Sequence, residues 1–172
     1  MVKLFGVCFL ITGAVGFSFC LCREQKIRLM MLKEMRSIFF LVQKQIHYGG
    51  FPIDLILQEV SGKVKTPFSE ALKRVSEQMC LEDGEEFCRI WTREMETVLF
   101  RIPITKEQKE LMLGFPRLLN AIDREGQAQM LCDYIDELDK WIVQTEKEEK
   151  DKNKLIMSLG TAAGILLSIL LL

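Results

Sequence analysis

Apolar and charged positions fall into blocks along this chain. No charged side chain occurs from Leu4 to Cys22, a run of 19 residues, or from Leu155 to Leu172, a run of 18. A helix rises about 1.5 Å per residue, so each run reaches roughly 27–29 Å, close to the ~30 Å hydrocarbon core of a bilayer. Each therefore predicts a transmembrane helix. Every Asp and Glu, and every Lys and Arg except Lys3, lies in the 132 residues of the middle segment, 23–154. The pattern divides the chain into an apolar helix over 1–22, a charged domain over 23–154 and a second apolar helix over 155–172.

The middle reads as helix throughout. From Arg23 to Tyr48 neither proline nor glycine interrupts the chain, and Ile27, Met31, Met35, Ile38, Val42 and Ile46 recur at steps of three or four, which sets them on one helical face. The first apolar helix is expected to run into this one without a break. Tyr48-Gly49-Gly50-Phe51-Pro52 stops it, and Pro52 suits the first position of a second helix ending near Ser61-Gly62. Thr66-Pro67 is a start signal for a third, whose buried side is Phe68, Leu72, Val75 and Met79. After the acidic stretch Glu82-Asp83-Gly84-Glu85-Glu86, a fourth carries Phe87, Trp91, Met95 and Val98 and ends by Ile102-Pro103. Thr105-Lys106-Glu107-Gln108 fits a capping box. Gly114 and Pro116 interrupt the helix that it opens, leaving a short segment around Leu118 and Ile122. The last long helix starts between Asp123 and Gln127, buries Leu131, Ile135, Leu138 and Ile142, and passes Lys154 into the second apolar run, with 146–154 as its exposed charged stretch. No segment alternates apolar and polar for long enough to favour strand. The expected fold is all-α, a bundle of five to seven helices in a domain large enough to fold without its anchors.

The flanks orient it. Arg23, Lys26 and Arg28 follow the first run, and Lys150, Lys152 and Lys154 precede the second. Basic residues beside membrane spans stay on the cytoplasmic side, and acidic neighbours count little against them. The middle is therefore expected in the cytoplasm, with both termini across the membrane. A cleaved signal peptide fits poorly: the first run exceeds the usual ~7–15-residue core, Gly16-Phe17-Ser18 is a poor small-x-small site, and Phe19 before Cys20 does not suit lipoprotein processing.

Composition removes most chemistry. A net charge of −1 offers no electrostatic footprint for nucleic acid. Of six cysteines, Cys8, Cys20 and Cys22 lie in or beside the first apolar run, while Cys80, Cys88 and Cys132 form no CxxC pair, a pattern of reduced, half-buried thiols rather than a disulfide framework. The single histidine, His47, follows an apolar helical face and reads as structural. There is no GK[ST] phosphate loop, HExxH, zinc spacing or GxSxG elbow. Adjacent carboxylates such as Glu148-Glu149 diverge around a helix and cannot flank a substrate. No catalytic residue, metal ligand or cofactor is expected, and the chain reads as a non-enzyme.

Two features suggest contacts. Gly160 and Gly164 form a GxxxG pattern in the second apolar run, and Gly6, Gly13 and Gly16 offer a matching small surface in the first. Small residues four apart let membrane helices approach closely, so Gly13, Gly16, Gly160 and Gly164 are candidates for packing the two spans into one hairpin, or copies of the chain into a homo-oligomer. Glu82, Asp83, Glu85 and Glu86, close to Arg89 and Arg93, are candidates for docking a basic cytoplasmic partner, against the plainer reading of a solvated, capped loop.

The order of elements resembles the stage III sporulation protein AB family of endospore-forming bacteria over nearly the whole chain. Gln45-Ile46-His47-Tyr48-Gly49-Gly50-Phe51-Pro52-Ile53 is similar to the family's Glu-Ile-x-Tyr-Gly-x-x-Pro-Leu stretch. Trp91 sits where the family places a central tryptophan, Asp123-Arg124-Glu125-Gly126-Gln127 resembles its Asp-x-x-x-Gln start to the last long helix, and Leu159-Gly160 with Gly164-Ile165 match its Leu-Gly-x-x-x-Gly tail. Gln45 departs from the family's Glu, and Asn120 from its Leu-Gly pair.

The resemblance implies a fold similar to the cytoplasmic domains of F-type platform proteins of type II secretion and type IV pilus systems. It implies a place in the mother-cell membrane facing the forespore, as the inner-membrane platform of a channel-like complex. The implied partners are that complex's cytoplasmic secretion-type ATPase and its other membrane subunits. A second reading from the residues is a membrane-tethered sensor module whose helical bundle captures an apolar ligand or lipid.

Overall fold

The structure, a computed structural model, describes the backbone of residues 2–48, 50–81, 86–119 and 124–171, and side chains over 23–48, 50–81, 86–119, 125–152, 154–155 and 158–159. Seven helices occur among these residues: α1 (Val2–Tyr48), α2 (Ile53–Ser61), α3 (Phe68–Leu81), α4 (Phe87–Leu99), α5 (Lys106–Leu113), α6 (Phe115–Leu118) and α7 (Arg124–Leu171). There is no strand among them.

The two longest helices, of 47 and 48 residues, frame the rest. At 1.5 Å per residue each is about 70 Å long. They pack antiparallel along their charged halves; α2 pairs with α3, α3 with α4, and the short α5 and α6 fill the space between α4 and α7. As the unbroken pattern from Arg23 to Tyr48 predicts, α1 is one continuous helix, and α7 likewise passes Lys154 without interruption. Among the described residues no helix is long and apolar enough to cross a membrane. The two apolar runs occupy the outer parts of α1 and α7, where, apart from Leu155, Ser158 and Leu159, side chains lie outside the described residues.

The start and stop signals act nearly as read. Gly50 turns the chain after α1 with φ of 59°, a conformation that glycine adopts without penalty. Pro52 is the N-cap of α2 rather than its first residue: its ψ of 148° is extended, and its carbonyl accepts the first helical bond from Ile56 N at 3.1 Å. The Thr66–Pro67 peptide is cis, and α3 begins at Phe68. At α5 the capping box is complete: Gln108 N donates to Thr105 Oγ1 at 3.3 Å, and Thr105 N to Gln108 Oε1 at 3.0 Å. Gly114 breaks α5 from α6 in an ordinary right-handed conformation (φ −72°), so backbone freedom is not its role. A Cβ there would stand 2.9 Å from Tyr134 Oη and 3.2 Å from Glu110 O; the glycine makes room for α7. Ile122 lies outside the described residues.

The core runs down the inner faces of all seven helices. On α1, Met31, Met35, Ile38, Val42 and Ile46 are buried, and Ile27 at the rim is half-buried. On α7, Leu131, Ile135, Leu138 and Ile142 are all buried. Phe68, Leu72 and Val75 of α3 and Trp91, Met95 and Val98 of α4 complete it, with Met79 and Phe87 packed at its edge. An aromatic cluster joins the layers: Phe115 lies 4.6 Å from Trp91 and 5.7 Å from Phe39 between ring centroids, and Tyr134 meets Phe39 edge-on at 5.7 Å. Trp91 is fully buried, and its Nε1 donates to Met112 O at 2.9 Å, so its one polar atom is satisfied where water cannot reach.

Candidate functional site

The α1–α7 pair is fastened by polar contacts between residues about a hundred positions apart. Lys33 Nζ meets Glu146 Oε1 at 2.7 Å. Arg36 grips Asp139 with both prongs, Nε to Oδ1 at 2.5 Å and Nη2 to Oδ2 at 3.0 Å. Gln43 Nε2 donates to Ala128 O at 3.2 Å and to Cys132 Sγ at 2.7 Å. Steps up α1 thus meet steps down α7, which fixes their antiparallel register. The hydrogen bond and charge of Lys33 hold the Glu146 carboxyl below its usual range. The hydrogen bonds that Arg36 donates to Asp139, with that carboxylate's charge, keep the guanidinium above its own range against the cost of desolvation. Both side chains of the Arg36–Asp139 pair are about two-fifths exposed, so screening limits it to about 0.5–1 kcal/mol, the upper part of the surface range because the fork is bidentate. Such contacts choose a register more than they stabilise a fold.

A second seam joins α3 to α4. Glu94, only 13% exposed, accepts from Arg74 Nε at 2.7 Å and from Gln78 Nε2 at 3.1 Å, while Arg93 Nη2 donates to Gln78 Oε1 at 2.7 Å. Burial pushes the Glu94 carboxyl up, but the hydrogen bonds from Arg74 and Gln78 and the charges of Arg74 and Arg93 outweigh it and hold the group below its ordinary range. The network locks α3 to α4, the helices on either side of the acidic stretch. Of that stretch, Glu82, Asp83 and Glu85 lie outside the described residues. Glu86 is the exposed N-cap residue of α4, and its side chain makes no capping hydrogen bond, so its carboxylate is not consumed by the helix end. A shallow open groove runs from Glu86 along α4 past Cys88, Arg89, Thr92, Arg93 and Glu96.

The glycines Gly13, Gly16, Gly160 and Gly164 lie within the helical course of α1 and α7, in the stretches whose side-chain surroundings are not among the described residues. The thiols of Cys80, Cys88 and Cys132 are free. Cys88 and Cys132 are half-buried as expected, but Cys80 is exposed at the end of α3, where it lies 3.7 Å from Asp54 Oδ2. His47 is also exposed and stands edge-on to the Tyr48 ring at 4.7 Å, a neighbour contact at the end of α1 rather than a place in the core.

Pattern reading missed the two seams. Lys33, Arg36, Asp139 and Glu146 stand beside apolar faces that were legible, and their opposite charges were a usable signal once α1 and α7 were set antiparallel. Nothing local marked Glu94 or Gln78 as partners of α3 and α4. Gln127, singled out only by resemblance, has a clear role: its Nε2 donates to Leu119 O at 2.9 Å, tying the start of α7 to the end of α6.

Comparison with known proteins agrees with this architecture. A stage III sporulation protein AB of Bacillus subtilis (strain 168) is 24% identical over 173 residues, covering the full length of both chains. A solved structure of a stage III sporulation protein AB (SpoIIIAB) superimposes with a TM-score of 0.65 at 18% identity, over 73% of this chain and 98% of its own; at that identity it speaks to the fold. The family model described as Stage III sporulation protein AB matches residues 3–172. With that match over almost its whole length, the chain belongs to the stage III sporulation protein AB family, a family of sporulation proteins.

Proposed function

We propose that the protein is a non-catalytic platform subunit of a sporulation-specific secretion or channel complex between mother cell and forespore. It sits in the mother-cell membrane, with residues 23–154 in the cytoplasm, and docks a cytoplasmic secretion-type ATPase. The observation that carries the reading is mechanical. The helical domain hangs from two continuous helices, each about 70 Å long, that are keyed to each other by Lys33–Glu146, Arg36–Asp139 and Gln43–Cys132. A load applied to α3–α4 would pass through a packed core and this two-helix stalk to whatever holds the outer ends.

Leu155 and Leu159 support a membrane at those ends. They are 60% and 67% exposed, one turn apart on α7, immediately beyond the last charged residue, so apolar surface emerges where the charged domain ends. The register of the stalk supports the hairpin. Carried outward along two unbroken helices, that register would bring Gly13 to the level of Gly164 and Gly16 to that of Gly160, which favours close approach of the two spans.

The acidic loop and the groove beside it supply the proposed docking face. Glu86 has its carboxylate free of the helix cap, and the Arg74–Glu94–Gln78–Arg93 seam anchors the helices on either side. The full chain, reconstituted in nanodiscs, is titrated with the secretion-type ATPase of the same complex. Saturable binding that weakens at least tenfold on charge reversal of Glu82, Asp83, Glu85 and Glu86 is the expected result. Binding indifferent to the reversals would move the contact face elsewhere. No binding at all would remove the platform reading and favour the ligand-capturing module.

A further inference from the structure

The geometry points to a collar of basic side chains, drawn from both helices of the stalk, that binds the headgroups of anionic phospholipids where the domain meets the bilayer. This inference rests on the membrane tether proposed above and adds a ligand to it.

Arg23, Lys26 and Arg28 are more than 120 positions from Lys150, Lys152 and Lys154 in sequence. The antiparallel stalk brings them to one level. Lys33 and Glu146, in contact at 2.7 Å, mark a common height on the two helices. From there, at 1.5 Å per residue, Lys26 and Arg23 lie about 10 and 15 Å further out along α1, and Lys150 and Lys154 about 6 and 12 Å further out along α7. The four therefore occupy a band about 9 Å deep, close to the ~5–7 Å headgroup layer on one side of a bilayer with its fringe. All four are exposed; Arg28 and Lys152, in the same band, are half-buried. The acids at this height are Glu24 and Asp151, both exposed. Glu148 and Glu149 lie toward the domain side, half-buried, and Glu148 accepts from Gln144 Nε2 at 3.0 Å. Six cations thus face two acids in the band.

One further observation selects lipid as the occupant. The charged band ends where the exposed apolar residues Leu155 and Leu159 begin on α7, the polarity step of a bilayer surface. The long lysine and arginine stems can run along that apolar surface while their charged heads reach phosphate oxygens. Near an anionic surface each Lys or Arg is worth roughly fivefold in association, so removing several makes a measurable difference.

The test uses the full chain reconstituted in vesicles of mixed phosphatidylcholine and phosphatidylglycerol. Spin-labelled versions of each lipid report how strongly the protein's boundary layer prefers one over the other. The expected result is a several-fold preference for phosphatidylglycerol, lost in the variant Arg23→Gln, Lys26→Gln, Lys150→Gln, Lys154→Gln. In the unaltered chain it is reduced by high salt, which shortens the screening length to about 3 Å at 1 M. These four side chains are exposed, and far-UV circular dichroism of the variant checks that the helices persist. Equal association of the two lipids, or a preference that survives both neutralisation and salt, overturns the collar. An alkaline carbonate wash separates this failure from that of the tether. Protein that stays with the vesicles yet shows no lipid preference refutes the collar alone, whereas protein that washes off refutes the tether and the collar together.

Discussion

Replacing Trp91 by phenylalanine tests how the domain is held together. The indole is fully buried against Phe115, with centroids 4.6 Å apart, and donates its only polar hydrogen to Met112 O at 2.9 Å. Phenylalanine keeps one aromatic ring but removes two carbons and Nε1, the carbons worth about 1.6 kcal/mol at ~0.8 kcal/mol each. The lost hydrogen bond adds about 1 kcal/mol. The loss should total about 2–3 kcal/mol, below the ~3–5 kcal/mol of truncating a buried Trp to alanine. A domain of this size has roughly 7–20 kcal/mol of stability, so the variant folds. At about 3–5 °C per kcal/mol, its midpoint should fall by about 6–15 °C. The assay is thermal unfolding of the full chain in detergent, followed by circular dichroism at 222 nm, with the half-buried Trp141 left as a fluorescence probe. A fall of less than about 1 kcal/mol would refute the reading of Trp91 as a tightly packed, hydrogen-bonded member of the aromatic cluster around Phe115.

Other predictions follow from single contacts. Glu94→Gln should destabilise the domain at neutral pH. The carboxyl is held below its ordinary value of 4.5, so its contribution is present above that value and is lost as pH falls through the lower folded-state value; the midpoints of parent and variant should therefore converge on acidification and stay apart from pH 6 to 8. Gly114→Ala should cost about 1–2 kcal/mol through the clash with Tyr134 Oη, and Tyr134→Phe in the same chain should recover part of it, measured as a double-mutant cycle of denaturant midpoints. Gly160→Ile with Gly164→Ile should loosen the packing of the apolar helices, lowering thermal stability or oligomer size of the full chain in detergent; unchanged values for both would count against close approach there.

How much of this was legible in the sequence depended on whether the cause was local. The apolar face of α1 could be read because a helix repeats its surface every three to four residues and no glycine or proline interrupts 23–48. The capping box at Thr105 could be read because both of its hydrogen bonds close within three residues. Pro52 fell one position off because a proline suits both the cap and the first turn, and only the extended ψ of 148° separates them. Burial of polar side chains was not legible. Ser76 is buried because its hydroxyl donates to Asp54 O at 2.9 Å, and Gln108 because the capping box satisfies it; either would pass for a surface residue in the sequence. The exposure of Cys80 was equally hidden, since its position after Met79 at the end of α3 puts it past the core rim. The polar seams depend on tertiary approach: Arg36 and Asp139 are 103 residues apart, and no periodicity connects them. As for the candidate docking residues, Glu86 is described as an exposed N-cap, while the remaining three acids of the loop lie outside the described residues.

The central claim is that one hairpin of two continuous helices holds the domain at a membrane by both ends. Its most direct test is the side of the membrane on which each part of the chain lies. A reporter enzyme active only outside the cytoplasm is fused after Leu172 in one strain and inserted between α3 and α4 in another. The account predicts an active fusion at Leu172 and an inactive one between the helices. An inactive fusion after Leu172, with the protein present at normal level, would contradict it.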